Sequence, residues 1–170
     1  MRYDSTNEIR LFPVVLITSS PLRISLSASS WIESSVSLSE VIGVTTNLAR
    51  HHNNFPNITI NINIEPADLI VYADEKLITQ VVLNLLKNAM QAIGSGQPDG
   101  LIELKAYCNP DESVIIEVSN NGPTIPPEEA EHIFVPFFTT KEGGSGIGLS
   151  ISRQIMRLSG GSIALKSNPA

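Results

Sequence analysis

The sequence predicts an α/β (α+β) fold: a two-layer sandwich in which a mixed, mainly antiparallel sheet packs on three helices, with a glycine-rich lid before the last helix. Three observations predict it. Ile58, Ile60, Ile62 and Ile64 alternate with polar residues, which is the period of a half-buried strand. Apolar residues fill a long helical pattern over 77–93, behind Asp74 as a candidate cap. Two strand-like runs, 101–108 and 113–119, are joined by Asn109, Pro110 and Asp111 as a hairpin. Helices and strands with one apolar face each bury those faces against one another, which gives two layers.

With 170 residues the chain is long enough for one domain with a sizeable core. Its 42% hydrophobic and 16% charged residues are those of a folded globular chain, and at 5% aromatics the core must be aliphatic. The net charge of −6 argues against a nucleic-acid partner, because phosphate backbones require a surplus of Lys and Arg. Cys108 stands alone, so neither a disulfide framework nor a CxxC metal site is available; a buried, inert thiol in a reducing compartment is expected. The apolar run 11–17 contains Pro13 and falls short of the roughly 20 residues of a membrane span. Asp4 and Glu8 are unlike a basic leader, and no membrane contact is expected from this segment.

Along the chain, 1–35 is Ser-rich, and alternation at Leu22, Ile24, Leu26 and Ala28 suggests one strand of unassigned role. Apolar positions Leu38, Val41, Ile42, Val44 and Leu48 predict a helix over 37–50, with Ser37 as cap and Glu40 three residues on. Asn53, Asn54 and Pro56 break the chain before the isoleucine strand. The helix from Asp74 runs to about Ile93 and ends in a turn rich in Gly, Pro and Asp over 94–100. Between Asn120 and Gly146 lies a long irregular stretch around a short acidic helical segment, read as a mobile lid. A last helix over 146–158 ends at Gly160 and Gly161, and 162–166 starts another strand.

Gln80, Asn84, Asn88 and Gln91 recur at spacings of four, four and three, forming one polar stripe on an otherwise apolar helix. Carboxamides there need partners. Neighbouring strands could supply them; so could a nucleotide with its magnesium, since an Asn oxygen is a hard neutral ligand and Lys87 could reach a phosphate. Gly144, Ser145, Gly146, Ile147, Gly148 and Leu149 open a helix, where glycines admit a phosphate to backbone N–H groups and to the helix dipole. The spacing is neither that of a P-loop nor that of a dinucleotide fold. Just before it, Phe138, Thr139, Thr140 and Lys141 combine an aromatic anchor, two hydroxyls and a cation suited to phosphate oxygens.

In order and spacing these boxes resemble the ATP-binding domain shared by histidine kinases, gyrase, heat-shock chaperones and mismatch-repair ATPases, a Bergerat-type fold. Within it they are most similar to nitrogen-regulation-type two-component sensor kinases. Asn84 to Ala89 resembles the Asn box, Asn120 to Ile125 the first Gly box, Phe134 to Lys141 the Phe box with the start of the lid, and Gly144 to Leu149 the second Gly box. Gly160 and Gly161 match the last glycine turn. The resemblance implies that ATP and Mg2+ are bound, the metal by Asn88. Binding residues would be Asn84, Lys87, Asn88, Gln91, Asn120, Gly122, Ile125, Phe138, Thr139, Thr140, Lys141, Gly144, Ser145, Gly146, Ile147, Gly148 and Leu149, with Asn84, Asn88 and Lys141 catalytic.

Members of the superfamily that hydrolyse ATP carry a Glu one turn before the magnesium Asn; here that position is Asn84, which cannot take a proton. Phosphoryl transfer to a partner is therefore expected, the acceptor being a His on a separate dimerisation hairpin, with a response regulator downstream in two-component signal transduction. The His-Glu acceptor motif is not in this sequence; His51, His52 and His132 lack the acidic neighbour. A cytoplasmic location is implied; if the parent sensor is membrane-anchored, the anchor is expected outside this chain. Two positions depart from the family pattern: Asn120 replaces an Asp that accepts from the adenine amino group, and Thr124 replaces a Gly. Losing charge at the first costs on the order of 1 kcal/mol. These departures sustain an alternative: a catalytically silent module that binds nucleotide weakly or docks to a partner. The expected division is 1–35 as a segment of unassigned role and 36–170 as the ATP-binding domain without its last strand, whose open sheet edge would offer a homodimer contact.

Overall fold

A computed structural model describes residues 12–18, 34–52, 57–94, 99–141 and 143–166, with side chains from residue 35 onward apart from that of His52. The elements in order are β1 (Phe12–Thr18), β2 (Ser34–Ser37), α1 (Leu38–His52), β3 (Ile58–Glu65), β4 (Ile70–Ala73), α2 (Glu75–Ile93), β5 (Gly100–Cys108), β6 (Val114–Asn120), α3 (Pro127–Ala130), α4 (Gly148–Leu158) and β7 (Ser162–Leu165). Five strands form one sheet in the order β3-β5-β6-β1-β7, and β2 pairs with β4 in a second, two-stranded sheet. β3 runs parallel to β5; the other pairings of the large sheet are antiparallel. Helices α1, α2 and α4 supply the second layer, so the two-layer sandwich is as expected.

α2 is the element that organises the core. Asp74 caps it as the sequence indicates: its carboxylate accepts from the N–H groups of Lys76 and Leu77 at 2.8 and 3.2 Å, satisfying two donors that the first turn leaves unpaired. Gly94, at φ 73°, ends it, its N–H donating to the Met90 carbonyl. The buried face is Ile78, Val81, Val82, Leu85, Leu86, Ala89, Met90 and Ile93, in which gaps of three alternate with adjacent pairs, as one face of a helix requires. Against it lie Ile102, Leu104 and Ala106 of β5 and Val114, Ile116 and Val118 of β6, alternate residues of each strand. Met156 of α4 is fully buried in the same core.

The strand suggested at Leu22 to Ala28 lies outside the described residues. Three other features differ from the sequence reading. The run read only as too short for a membrane span instead provides β1, with Phe12 opposite Asn120 and Thr18 opposite Val114 on one side and Val14 opposite Leu165 on the other. β7, the strand expected after Gly161, is thus joined to the sheet through β1. α1 starts after Ser37, which ends β2 and bonds the Ser39 hydroxyl at 2.9 Å rather than a backbone N–H. Cys108, expected buried, is exposed. Its parity is that of buried Ile102, Leu104 and Ala106, but it is the last residue of β5, at the hairpin turn, where the helical cover ends. Among the described residues no helix is long and apolar enough to cross a membrane.

Candidate nucleotide site

The polar stripe of α2 faces α4 and the lid. Asn84 is half-buried and engaged on both sides of its amide: Oδ1 accepts from Gln80 Nε2 at 3.0 Å, and Nδ2 donates to the Gly148 carbonyl and to the Ser152 hydroxyl, both at 3.1 Å. Ser152 donates in turn to the Gly148 carbonyl at 2.9 Å. Beyond its own helix, the Asn84 carboxamide therefore finds its partners on α4, not on the neighbouring strands. No proton-accepting group stands at position 84, and both amide hydrogens have protein acceptors.

One turn further along, Asn88 and Gln91 meet the lid. Lys141 Nζ lies 2.9 Å from Gln91 Oε1, 3.3 Å from Asn88 Oδ1 and 3.5 Å from the Asn88 carbonyl. Burial of the ammonium against α2 pulls the Lys141 pKa below the usual lysine value. A cluster of neutral oxygens that gathers a cation is a donor set suited to a hard metal ion. Among the described residues no three His, Cys, Asp or Glu side chains group as a metal site. A divalent ion here would thus rely on Asn88 and on oxygens of a bound phosphate. Lys87 precedes Asn88, half-buried on the same helix.

The glycine boxes lie at opposite ends of this stripe. Gly122 packs on the far end of α2: a Cβ there would stand 2.8 Å from the Ala92 carbonyl carbon, so only glycine allows the approach. Its N–H donates to Asn120 Oδ1 at 2.9 Å, closing a turn after β6. Gly148 opens α4 beside Asn84, and α4 has no side-chain N-cap, which leaves its first N–H groups for another acceptor. Gly146, at φ 65°, is the joint between lid and helix: its carbonyl accepts from Phe137 N–H at 2.9 Å, and a Cβ would meet the Phe137 carbonyl carbon at 2.5 Å. From position 84 to 92 α2 rises about 12 Å, which sets the length of the site.

The remaining residues named from the sequence are distributed around that axis. Thr139 caps a tight lid turn, its hydroxyl accepting from Lys141 N–H at 3.1 Å. Thr140, Gly144, Ser145 and Ile147 are exposed, Ile125 and Phe138 half-buried, and Leu149 packs partly on the core. Sequence reasoning missed three contacts. Ser152 is buried in the Asn84 network; the one signal was a small polar residue four after Gly148. His132, whose Nδ1 meets the Glu128 carbonyl at 2.9 Å, packs against Phe138 with ring centroids 5.5 Å apart and planes tilted by 34°. The Arg153 guanidinium lies over the Phe134 ring, 5.4 Å from its centroid, pinning the lid's near end to α4.

Residues 73–170 match the family described as "Histidine kinase-, DNA gyrase B-, and HSP90-like ATPase". The sensor histidine kinase ZraS of Salmonella typhimurium is 36% identical over 132 residues, 78% of this chain and 28% of that protein. The sensory histidine kinase/phosphatase NtrB of Rhizobium leguminosarum bv. phaseoli is 36% identical over 124 residues, 65% of this chain and 32% of that protein. The chain thus spans a third or less of the length of these relatives. Among solved structures, the catalytic domain of histidine kinase ThkA superposes with a TM-score of 0.68 at 36% identity, covering 80% of this chain and 88% of that one. The same kinase solved with response regulator protein TrrA gives a TM-score of 0.63 at 33% identity, covering 80% of this chain and 38% of that one.

Proposed function

This chain belongs to the histidine kinase-, DNA gyrase B- and HSP90-like ATPase family, as an ATP-binding catalytic domain of the sensor histidine kinase type, and on that premise we propose that it donates the γ-phosphate of ATP to a histidine on a separate dimerisation hairpin. The observation that carries this reading is position 84, where an amide bonded to Gln80, Gly148 and Ser152 stands in place of a base. Water attack lacks a proton acceptor there, so the γ-phosphate survives for another nucleophile.

In this reading the nucleotide lies along α2. The adenine sits by Gly122 and Ile125, with its amino group donating to Asn120; the phosphates lie between Lys87, Asn88 and the N–H groups that open α4. A magnesium ion held by Asn88 would neutralise charge on the phosphate oxygens. Lys141 leaves the α2 oxygens for the phosphates as the lid, with Phe138, Thr139, Thr140, Gly144 and Ser145, folds over them. This domain takes in residues 36–170 together with the start of β2 and with β1, which joins β7 to the sheet. A response regulator receives the phosphate downstream, a reading supported by the complex of ThkA with TrrA.

A second reading, a silent or weakly binding module, is favoured by one contact: Asn120 Oδ1 already accepts from Gly122 N–H, and it brings no charge to an adenine amino group. Calorimetric titration separates the two. Heat with Mg-ATP or Mg-ADP at millimolar concentration or below is expected, and none would sink the kinase reading. In the protein carrying its hairpin, Asn88→Ala is expected to abolish acid-labile phosphate on the acceptor; unchanged phosphorylation would exclude Asn88 as the metal ligand.

A further inference from the structure

Asn84 and Ser152 form a closed set of bonds between two helices that carry different parts of the site. Asn84 is four residues, one turn, before Asn88 on α2; Gly148 is the first residue of α4, whose first N–H groups no side chain caps. The Gly148 carbonyl receives both the Asn84 amide and the Ser152 hydroxyl, and the amide also donates to that hydroxyl. Ser152 is fully buried and the three bonds that join it, Asn84 and Gly148 are part-buried, so losing one leaves a donor or acceptor with little water to replace its partner. Gln80, holding Oδ1 at 3.0 Å, fixes which way the amide faces.

We propose that Ser152 and Asn84 are positioning residues: together they lock the start of α4 onto α2, and so hold the backbone N–H groups that meet phosphate at a set distance from Asn88. The Asn84 amide is already engaged with Gln80, Gly148 and Ser152, so this role replaces the direct nucleotide contact that the family resemblance implies for it, and each side chain acts through Gly148. The network also explains why the position takes an amide. A carboxylate has no hydrogen to give, and at residue 84 it would oppose the Gly148 carbonyl, so the same substitution that removes a base supplies the tether. This rests on the assignment of phosphates to the α4 N-terminus made above.

The test compares Ser152→Ala, Asn84→Ala and the double variant in the full chain. The probes are Mg-ADP by calorimetry and adenosine, which has no phosphate, by NMR titration. For each single variant the expected result is Mg-ADP binding weakened about tenfold, with adenosine binding within about twofold of the parent and the double variant little worse than either single one. Amide exchange at 147–151 of the nucleotide-free protein should rise while that of α2 does not. Parent-like Mg-ADP binding and exchange in Ser152→Ala would overturn the proposal, as would equal losses for both ligands, which mark general loosening. A parent chain that binds no Mg-ADP would instead overturn the nucleotide reading, and this proposal with it.

Discussion

The two sides of the site are built in opposite ways. On one side α2 and α4 meet through fully buried Met156 and Ser152 and through an amide that bonds twice across the interface. On the other, the lid meets the body through the reach of Lys141 to Asn88 and Gln91 and through Phe134 under Arg153. Phe137 in that lid is 79% exposed at φ 66°, a conformation that costs a side-chain-bearing residue about 1–2 kcal/mol. The wall is set before any ligand arrives, because Met156 and Ser152 are fully buried and its cross-helix bonds lie at their edge. Beyond Phe134 the lid is held by the long side chain of Lys141 at a polar surface, an attachment that a competing cation or phosphate can replace.

That contrast can be broken most severely from the wall. Met156→Ala should cost about 2–5 kcal/mol in denaturant unfolding, with loss of Mg-ADP binding in the same samples; a cost under about 1 kcal/mol would mean that α4 is not part of the core. At the joint, Gly146→Ala must place a Cβ against Phe137 at positive φ, and about 1–3 kcal/mol is expected. Limited proteolysis of that variant should cut the lid faster than the parent's. Lys141→Met should change unfolding by less than about 1 kcal/mol, yet release the lid to protease without nucleotide and weaken Mg-ADP several-fold. Parent-like cleavage would show that Lys141 does not hold the lid. The smallest effect belongs to Phe137→Gly, where relief of strain and added chain entropy nearly cancel, leaving stability within about 1 kcal/mol. A larger loss would place that ring in the body and erase the distinction.

Much of the site was legible because its parts are local. Asn84, Asn88 and Gln91 fall on one stripe of a helix whose cap, Asp74, and stop, Gly94, are both written in the sequence. The glycines at 122, 146 and 148 stand where backbone must pass close to backbone or open a helix, and these needs mark themselves by residue type. What stayed hidden were partners far apart in the chain. Ser152 reads as an ordinary helix serine until Asn84, 68 positions earlier, is placed against it. Lys141 reads as a phosphate contact, and its hold on Asn88 and Gln91, 53 and 50 positions earlier, exists only in the folded chain.

The same division runs through the fold. By itself the sequence determined α2, the isoleucine strand β3, the hairpin of β5 and β6, and the absence of a base at position 84, since periodicity, caps and turn residues act within a few positions. Tertiary structure alone decided that β3 pairs parallel to β5, that Cys108 is uncovered at a strand end, and that residues 12–18 sit between β6 and β7. A short apolar run can lie in many places; which one it takes depends on the open strand edges the rest of the chain presents, and no local pattern records that.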